Sequence, residues 1–163
     1  MKHVELIADG SCLSRPTGPG GWACILRYKK TEPVLKGGAP VTTSNQMELK
    51  AVTMGLRALT ERCEVSVVTD SKYVEQGFTQ MLAVWDRTGW RNSRGRPLAN
   101  QRLWAQLRSA AGRHRISWCW VKGHWNHRDR NRCDCLARNA ARLAAKVCGL
   151  IPRLYKVGPR FPT

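Results

Sequence analysis

Four acidic side chains, Asp9, Glu48, Asp70 and Asp134, occupy the positions in this chain best suited to chemistry. Each falls where a strand should end or a helix should begin, and a carboxylate there is costly unless a positive group meets it. Oxygen-only ligands without an organised His/Cys set favour a hard cation, Mg²⁺ or Mn²⁺. Two such ions, about 3.5–4 Å apart, activate a water and stabilise the leaving oxygen of an in-line phosphoryl displacement. Phosphodiester hydrolysis is therefore the chemistry in prospect. Plainer readings exist for three of the acids. Glu48 could close a capping box with Asn45, Asp70 could be a helix N-cap, and Asp134 could be a first-turn acid paired with Arg138.

The charge balance points the same way. There are 28 Lys and Arg against 11 Asp and Glu, a formal net charge of +17. Such a field favours a polyanion, most commonly nucleic acid; the bland alternative is a generally basic, soluble surface. Much of the charge is clustered. Arg87, Arg91, Arg94 and Arg96 alternate with Gly89, Gly95 and Trp90, just after Trp85, with no acid inside the segment. That composition suits a protrusion gripping a duplex, Arg on phosphates and Trp on sugar or base faces. A solvated loop beside two core tryptophans is the plainer account. An acidic pocket in a basic surface is what a phosphodiester-cleaving nuclease requires.

The elements that must position these groups follow from hydrophobic patterning. Val4, Leu6 and Ala8 alternate with Ile7, so 4–9 reads as a strand with apolar residues on both faces, inside a sheet, ending near Asp9. Gly18-Pro19-Gly20-Gly21 reads as a turn; no Gly-Lys-Ser/Thr follows, so it is not a phosphate loop. Strands are expected over 22–28, 33–41, 64–69 and 115–122. Thr42 to Asn45 opens a helix in which Leu49, Val52, Leu56 and Leu59 recur, to about Arg62. A short helix follows Ser71, with more helix over 79–85 and again over 100–112. Residues 123–127 form a loop, and a last helix spans 131–147 with Cys133, Ala137, Ala140, Ala144 and Val147 inward. Strands leading and helices covering them give a mixed α/β sheet.

At 163 residues the chain fits one domain, assigned to 1-148, with 149-163 a loosely ordered, basic, Pro-containing extension. No run approaches the roughly 18 apolar residues of a membrane span. Met1-Lys2-His3 leads directly into the first strand, so no removable signal is expected. Seven cysteines, an odd number scattered through apparent core positions, suit reduced thiols and a cytoplasmic location.

Taken in order, Asp9-Gly10-Ser11-Cys12, Thr42-Thr43-Ser44-Asn45-Gln46-Met47-Glu48-Leu49, Thr69-Asp70-Ser71-Lys72-Tyr73-Val74, Trp120-Val121-Lys122-Gly123-His124 and Arg132-Cys133-Asp134 closely resemble the motifs of type 1 ribonuclease H. The bacterial ribonuclease HI group is the nearest match, over roughly residues 3 to 145. The resemblance implies a ribonuclease H-like α/β fold: a five-stranded mixed sheet, three antiparallel strands then two parallel additions, flanked by helices. It implies endonucleolytic hydrolysis of the RNA strand of RNA–DNA hybrids, leaving 3′-hydroxyl and 5′-phosphate ends, with water as nucleophile. Asp9, Glu48, Asp70 and Asp134 would bind two Mg²⁺ ions, with Mn²⁺ as a substitute. His124, on a loop, would assist proton transfer or product release; His127 also matches a family histidine and is given no role. Cys12, Ser44 and Asn45 would meet the RNA strand, whose 2′-hydroxyls distinguish it in an A-like minor groove. Thr43 and Asn100 match a DNA-phosphate pocket, Tyr73 and Trp85 a DNA-strand groove, and the 87–96 segment, with Trp90 and Arg91, a basic protrusion. A monomer is expected, with hybrid nucleic acid as partner and no membrane.

The chain departs from that family's pattern at Arg15, beside a one-residue insertion near Thr17, and at Val41, Ser44 and Met81. Arg130-Asn131 also replaces the usual Asn followed by an acid. These positions bear on affinity, which added arginines could restore through salt-sensitive phosphate contacts. Competing readings are a non-catalytic basic duplex-binding module and a DNA-cleaving member of the same fold. A metal-free ribonuclease using His124 and His127 as acid and base is a third. Zinc at Cys133 and Cys135 is disfavoured because residues i and i+2 do not share a helix face.

Overall fold

Both faces of the first strand are covered, and this organises the molecule. The structure, a computed structural model, describes residues 1–122 and 128–155. Strand β1 (Lys2–Cys12) is central in a five-stranded sheet. Strands β2 (Gly18–Arg27) and β3 (Val34–Thr42) add antiparallel on one side. On the other, β4 (Cys63–Thr69) and β5 (Arg115–Trp120) add in parallel, so the spatial order is β3-β2-β1-β4-β5. The topology is the one implied by the resemblance.

Helices α1 (Ser44–Ala58) and α4 (Gln101–Ala111) cover one face. There Val4, Leu6 and Ala8 pack with Leu49, Val52 and Leu56 of α1 and with Trp104 and Leu107 of α4. Helix α5 (Arg128–Tyr155) crosses the opposite face, where Ile7, Ala23, Ile25 and Val68 meet Cys133 and Ala137. The alternation of Val4, Leu6 and Ala8 with Ile7 thus feeds two separate cores. Between β4 and α4 the chain forms α2 (Lys72–Gln76), a π-helical turn (Gly77–Met81) and α3 (Leu82–Arg87).

Several boundaries differ from expectation. Residues 18–21, expected as a turn, begin β2. The glycines serve close packing instead: a methyl group on Gly21 would lie 2.3 Å from the Ala137 carbonyl oxygen and the Ala141 amide of α5. Helix α1 stops at Ala58, short of Arg62, because Leu59 turns extended. Helix α5 begins at Arg128, earlier than expected, with Asp129 in its first turn ion-paired to Arg27 of β2 at 2.8 Å. It also runs past Gly149 to Tyr155, where a loose extension was expected; the helix continues from its Ala-rich turns at 140–145 although Gly149 and Pro152 are poor helix residues. On α5 Ala141 is buried, whereas Val147, expected inward, is 50% exposed.

Candidate active site

Asp9 is not at the end of its strand, which continues to Cys12. It lies where the sheet opens. The ladder between β1 and β4 stops at Ile7 opposite Val68, so Asp9 and Asp70 come just beyond the point where the two strands part. Asp9 is 5% exposed. One carboxylate oxygen accepts from the Gly10 amide at 2.8 Å. The other, Oδ2, is buried and has no hydrogen-bond partner among the described residues. Burial above all, then repulsion from Asp70 and Asp134, pushes Asp9 up to about 7; Arg130 and the Gly10 amide oppose this.

Glu48 reaches the same place because Gly10 lacks a side chain. A methyl group there would stand 2.3 Å from the Glu48 amide nitrogen, so β1 and α1 touch at this point. Glu48 is free of capping duty: the N-cap of α1 is Thr43, which forms a reciprocal box with Gln46, not Asn45 with Glu48. Asp70 is likewise not a cap. Ser71 caps α2 by accepting from the Val74 amide at 3.2 Å, and its hydroxyl also donates to Glu48 Oε2. Burial pushes Glu48 up to about 7, with Asp70 adding to the effect and the Ser71 hydroxyl opposing it.

Asp134 comes from α5, past the first turn. Its neighbour Cys133 donates to the carbonyl oxygens of Ala23 at 3.2 Å and Ile7 at 3.6 Å, which seats the helix directly over β1 and β2. The ion pair with Arg138 expected from i, i+4 spacing is present, Nε to Oδ1 at 3.1 Å and Nη2 to Oδ2. Asp70 Oδ2 is met by Arg130 Nη2, from a side chain only 11% exposed. The fold therefore draws the four acids to one end of β1 and β4, but three of them already face a side-chain donor: Ser71, Arg130 or Arg138. As oriented, no three Asp, Glu, His or Cys side chains among the described residues are grouped to hold a metal ion. The donor chemistry nonetheless suits a hard divalent ion. It is all oxygen, it includes an unpartnered buried carboxylate oxygen, and two of its members are pushed up to about 7, chiefly by burial.

The residues matched to nucleic-acid contacts form a second group. Gln46 Nε2 donates to Asn100 Oδ1 at 3.1 Å, and Asn100 Nδ2 donates to the Tyr73 hydroxyl at 3.0 Å. Trp104 Nε1 donates to the same hydroxyl at 3.1 Å. Thr43, Asn100 and Tyr73 are thus one hydrogen-bonded chain, with Gln46 as the link. Aromatic contacts continue it: Trp104 meets Tyr73 and Trp85 at centroid distances of 5.4 and 5.0 Å, and Trp85 meets Trp90 at 5.9 Å. Beyond α3, a bridge between Arg91 and Pro97 closes a short hairpin in which Asn92 Oδ1 accepts from the amides of Arg94 and Arg96 at 3.0 Å. Within it Arg91 Nη1 donates to the Gly95 carbonyl at 2.7 Å. Cys12 is half-buried near the start of α1, its thiol against the Ser14 and Thr42 carbonyls at 3.1 and 3.4 Å. Ser44 and Asn45 begin α1 beside it. Cys133 is buried and Cys135 exposed, on different sides of α5. His124 and His127 lie outside the described residues.

Arg130, Ser71, Gln46 and Asn92 do not stand out from sequence as part of these groups. Ser71 carries a signal, a hydroxyl following a strand and opening a helix. Arg130 carries another: it precedes Asp134 by four residues and so shares its helix face.

Comparison with known proteins agrees with this geometry. A family model for RNase H matches residues 1–142. The chain is 50% identical over 146 residues to the ribonuclease H of Solibacter usitatus (strain Ellin6076), covering 90% of this chain and 99% of that protein. It is 51% identical over 141 residues to the ribonuclease H of Xanthomonas oryzae pv. oryzae (strain MAFF 311018), covering 86% and 93%. Among solved structures it is similar to LC9-RNase H1, a type 1 RNase H with the type 2 active-site motif. That similarity has a TM-score of 0.79 and 30% identity, covering 86% of this chain and 72% of the other.

Proposed function

The chain belongs to the RNase H family, and from that premise we propose that it is a metal-dependent endonuclease hydrolysing the RNA strand of RNA–DNA hybrids. Products would carry 3′-hydroxyl and 5′-phosphate ends, and the protein would act as a monomer. The observation that carries this reading is Asp9: a buried carboxylate with a bare oxygen, beside Asp70 and Asp134, within a chain of +17. A buried anion so placed is stable only if a cation joins it. Asp9, Glu48, Asp70 and Asp134 would hold two Mg²⁺ ions, or Mn²⁺ in their place. Bound there, the ions would lower the pKa of the attacking water and offset charge on the departing 3′-oxygen.

The chain's own groups do the rest. The Gly10 amide orients Asp9, and the Ser71 hydroxyl fixes Glu48 while anchoring α2. Thr43, Asn100, Tyr73, Trp85 and the hairpin with Trp90 and Arg91 offer polar and aromatic contacts for the DNA strand. Cys12, Ser44 and Asn45, at the mouth of the acid cluster, would face the RNA strand. His124 is assigned proton transfer or product release on the family pattern. Cys24, Cys63 and Cys133 pack singly in the core, which suits a reducing compartment such as the cytoplasm.

The test is cleavage of RNA–DNA hybrid, double-stranded RNA and double-stranded DNA in parallel, with Mg²⁺ and with EDTA. Hybrid cleavage dependent on Mg²⁺, lost in Asp9→Asn and Asp70→Asn, is expected. Cleavage insensitive to EDTA, or of DNA alone, would overturn the reading.

A further inference from the structure

The Arg130 side chain stands among groups that the proposed mechanism assigns to metal ions. Its Nη2 lies on Asp70 Oδ2, and its side chain is almost wholly covered. Its Nε is buried and has no hydrogen-bond partner among the described residues. Among the described residues the guanidinium is therefore engaged at one end, by the negative charge it faces and not by a full fork of hydrogen bonds.

Its backbone, by contrast, is fixed. The preceding residue, Asp129, is ion-paired to Arg27 at 2.8 Å, and Arg27 also holds Glu5 and Glu32 at 2.9 and 3.0 Å. Arg132, on the next turn, pairs with Glu32 as well. The first turn of α5 is thus fastened to β1, β2 and the turn between β2 and β3. The ion pairs fix the backbone on either side of Arg130 and leave its side chain held by Asp70.

We propose that Arg130 is a built-in counter-cation of the acid cluster, which competes with divalent metal for Asp70 and must swing aside before the site is fully loaded. This rests on the reading of the four acids as metal ligands. A guanidinium and a divalent ion cannot both sit on the same carboxylate oxygen, and a fixed positive charge a few ångströms from a cation weakens its binding. Arginine stays charged at any working pH, so acidity does not relieve the competition; metal concentration does. The device keeps Asp70 compensated when metal is scarce and sets a threshold of metal at which the site switches on. It accounts for an arginine at a position where the resembling family carries a neutral Asn. Positive charge next to a metal site otherwise lowers affinity with nothing in return.

Direct metal binding, read independently of catalysis, tests this. Mn²⁺ binding would be followed by the loss of its free electron paramagnetic signal for the full-length protein, Arg130→Gln, Arg130→Lys and Asp70→Asn. Arg130→Gln should bind Mn²⁺ more tightly, on the order of tenfold. Arg130→Lys, a point charge without the planar fork, should fall between it and the unsubstituted protein. The gain should vanish when Arg130→Gln is combined with Asp70→Asn, because the two side chains act on one oxygen. Equal or weaker Mn²⁺ binding by Arg130→Gln would overturn the proposal and leave the nuclease reading standing. Should Arg130→Gln fail to fold, Arg130→Lys carries the test, and affinity no tighter than that of the unsubstituted protein counts against the proposal. Absence of Mn²⁺ binding in every form, at millimolar metal, would instead overturn the nuclease reading and the proposal with it.

Discussion

Replacing Asp9 with Asn removes a charge and keeps the shape, so it isolates the cost of that charge. In the fold Asp9 is pushed up from 3.8 to about 7. At about 1.36 kcal/mol per pH unit, the difference amounts to about 4 kcal/mol. The folded protein keeps this proton until about pH 7, while the unfolded chain gives it up near pH 4. Between those values the unfolded state binds fewer protons, so raising the pH through this window lowers stability. Asn cannot ionise and escapes that loss. Its amide oxygen still accepts from Gly10, but its NH₂ falls where Oδ2 has no partner, at a cost of about 1–3 kcal/mol. At pH 8 without divalent metal, Asp9→Asn should therefore be more stable by about 1–3 kcal/mol; at pH 4 it should be equal or less stable. Urea unfolding followed by circular dichroism at both pH values, in EDTA, measures this directly. Saturating Mg²⁺ should stabilise the unsubstituted protein, by about 2.7 kcal/mol at a hundred times its Kd, and leave Asp9→Asn unmoved. An Asp9→Asn protein less stable than its parent at pH 8 in EDTA would refute the claim that this carboxylate is an uncompensated burden.

Gly21→Ala should lower stability by about 2–4 kcal/mol in the same unfolding assay, since its methyl meets backbone of α5 that cannot yield locally. A loss below about 1 kcal/mol would mean the helix can slide off the sheet at little cost. For the hairpin, Arg94→Ala with Arg96→Ala should flatten the dependence of log K on log salt for hybrid binding, by about one unit for each phosphate no longer neutralised. An unchanged slope would show that these exposed arginines do not touch the backbone of the duplex.

Whatever depends on periodicity or on short local patterns was legible in the residues alone. The two-faced apolar strand around Leu6 and Ile7 marked the centre of the sheet, and the four acids stood out by position. Competition between local rules hid the rest. Asn45 with Glu48 and Thr43 with Gln46 are both valid capping boxes three residues apart, and only the packing of α1 on β1 selects the second. Gly18 to Gly21 reads as a turn because nothing local reveals that α5 presses on the strand from 116 residues later, at Ala137. Arg130 is visible as a departure from the family pattern, but its pairing with Asp70 joins positions sixty apart. Asn92 has no visible role in the sequence, since its work is to hold the amides of its own hairpin.

Gln46 acts as a tie rod. Only two residues from Glu48, it is bolted to the start of α1 through Thr43 and, at its far end, to Asn100, the residue that precedes α4. Any pull on Asn100 therefore tugs the turn that bears Glu48, one of the four clustered acids. If the proposed roles hold, grip on one strand of a duplex and alignment at the other would become a single mechanical adjustment, transmitted by one amide side chain.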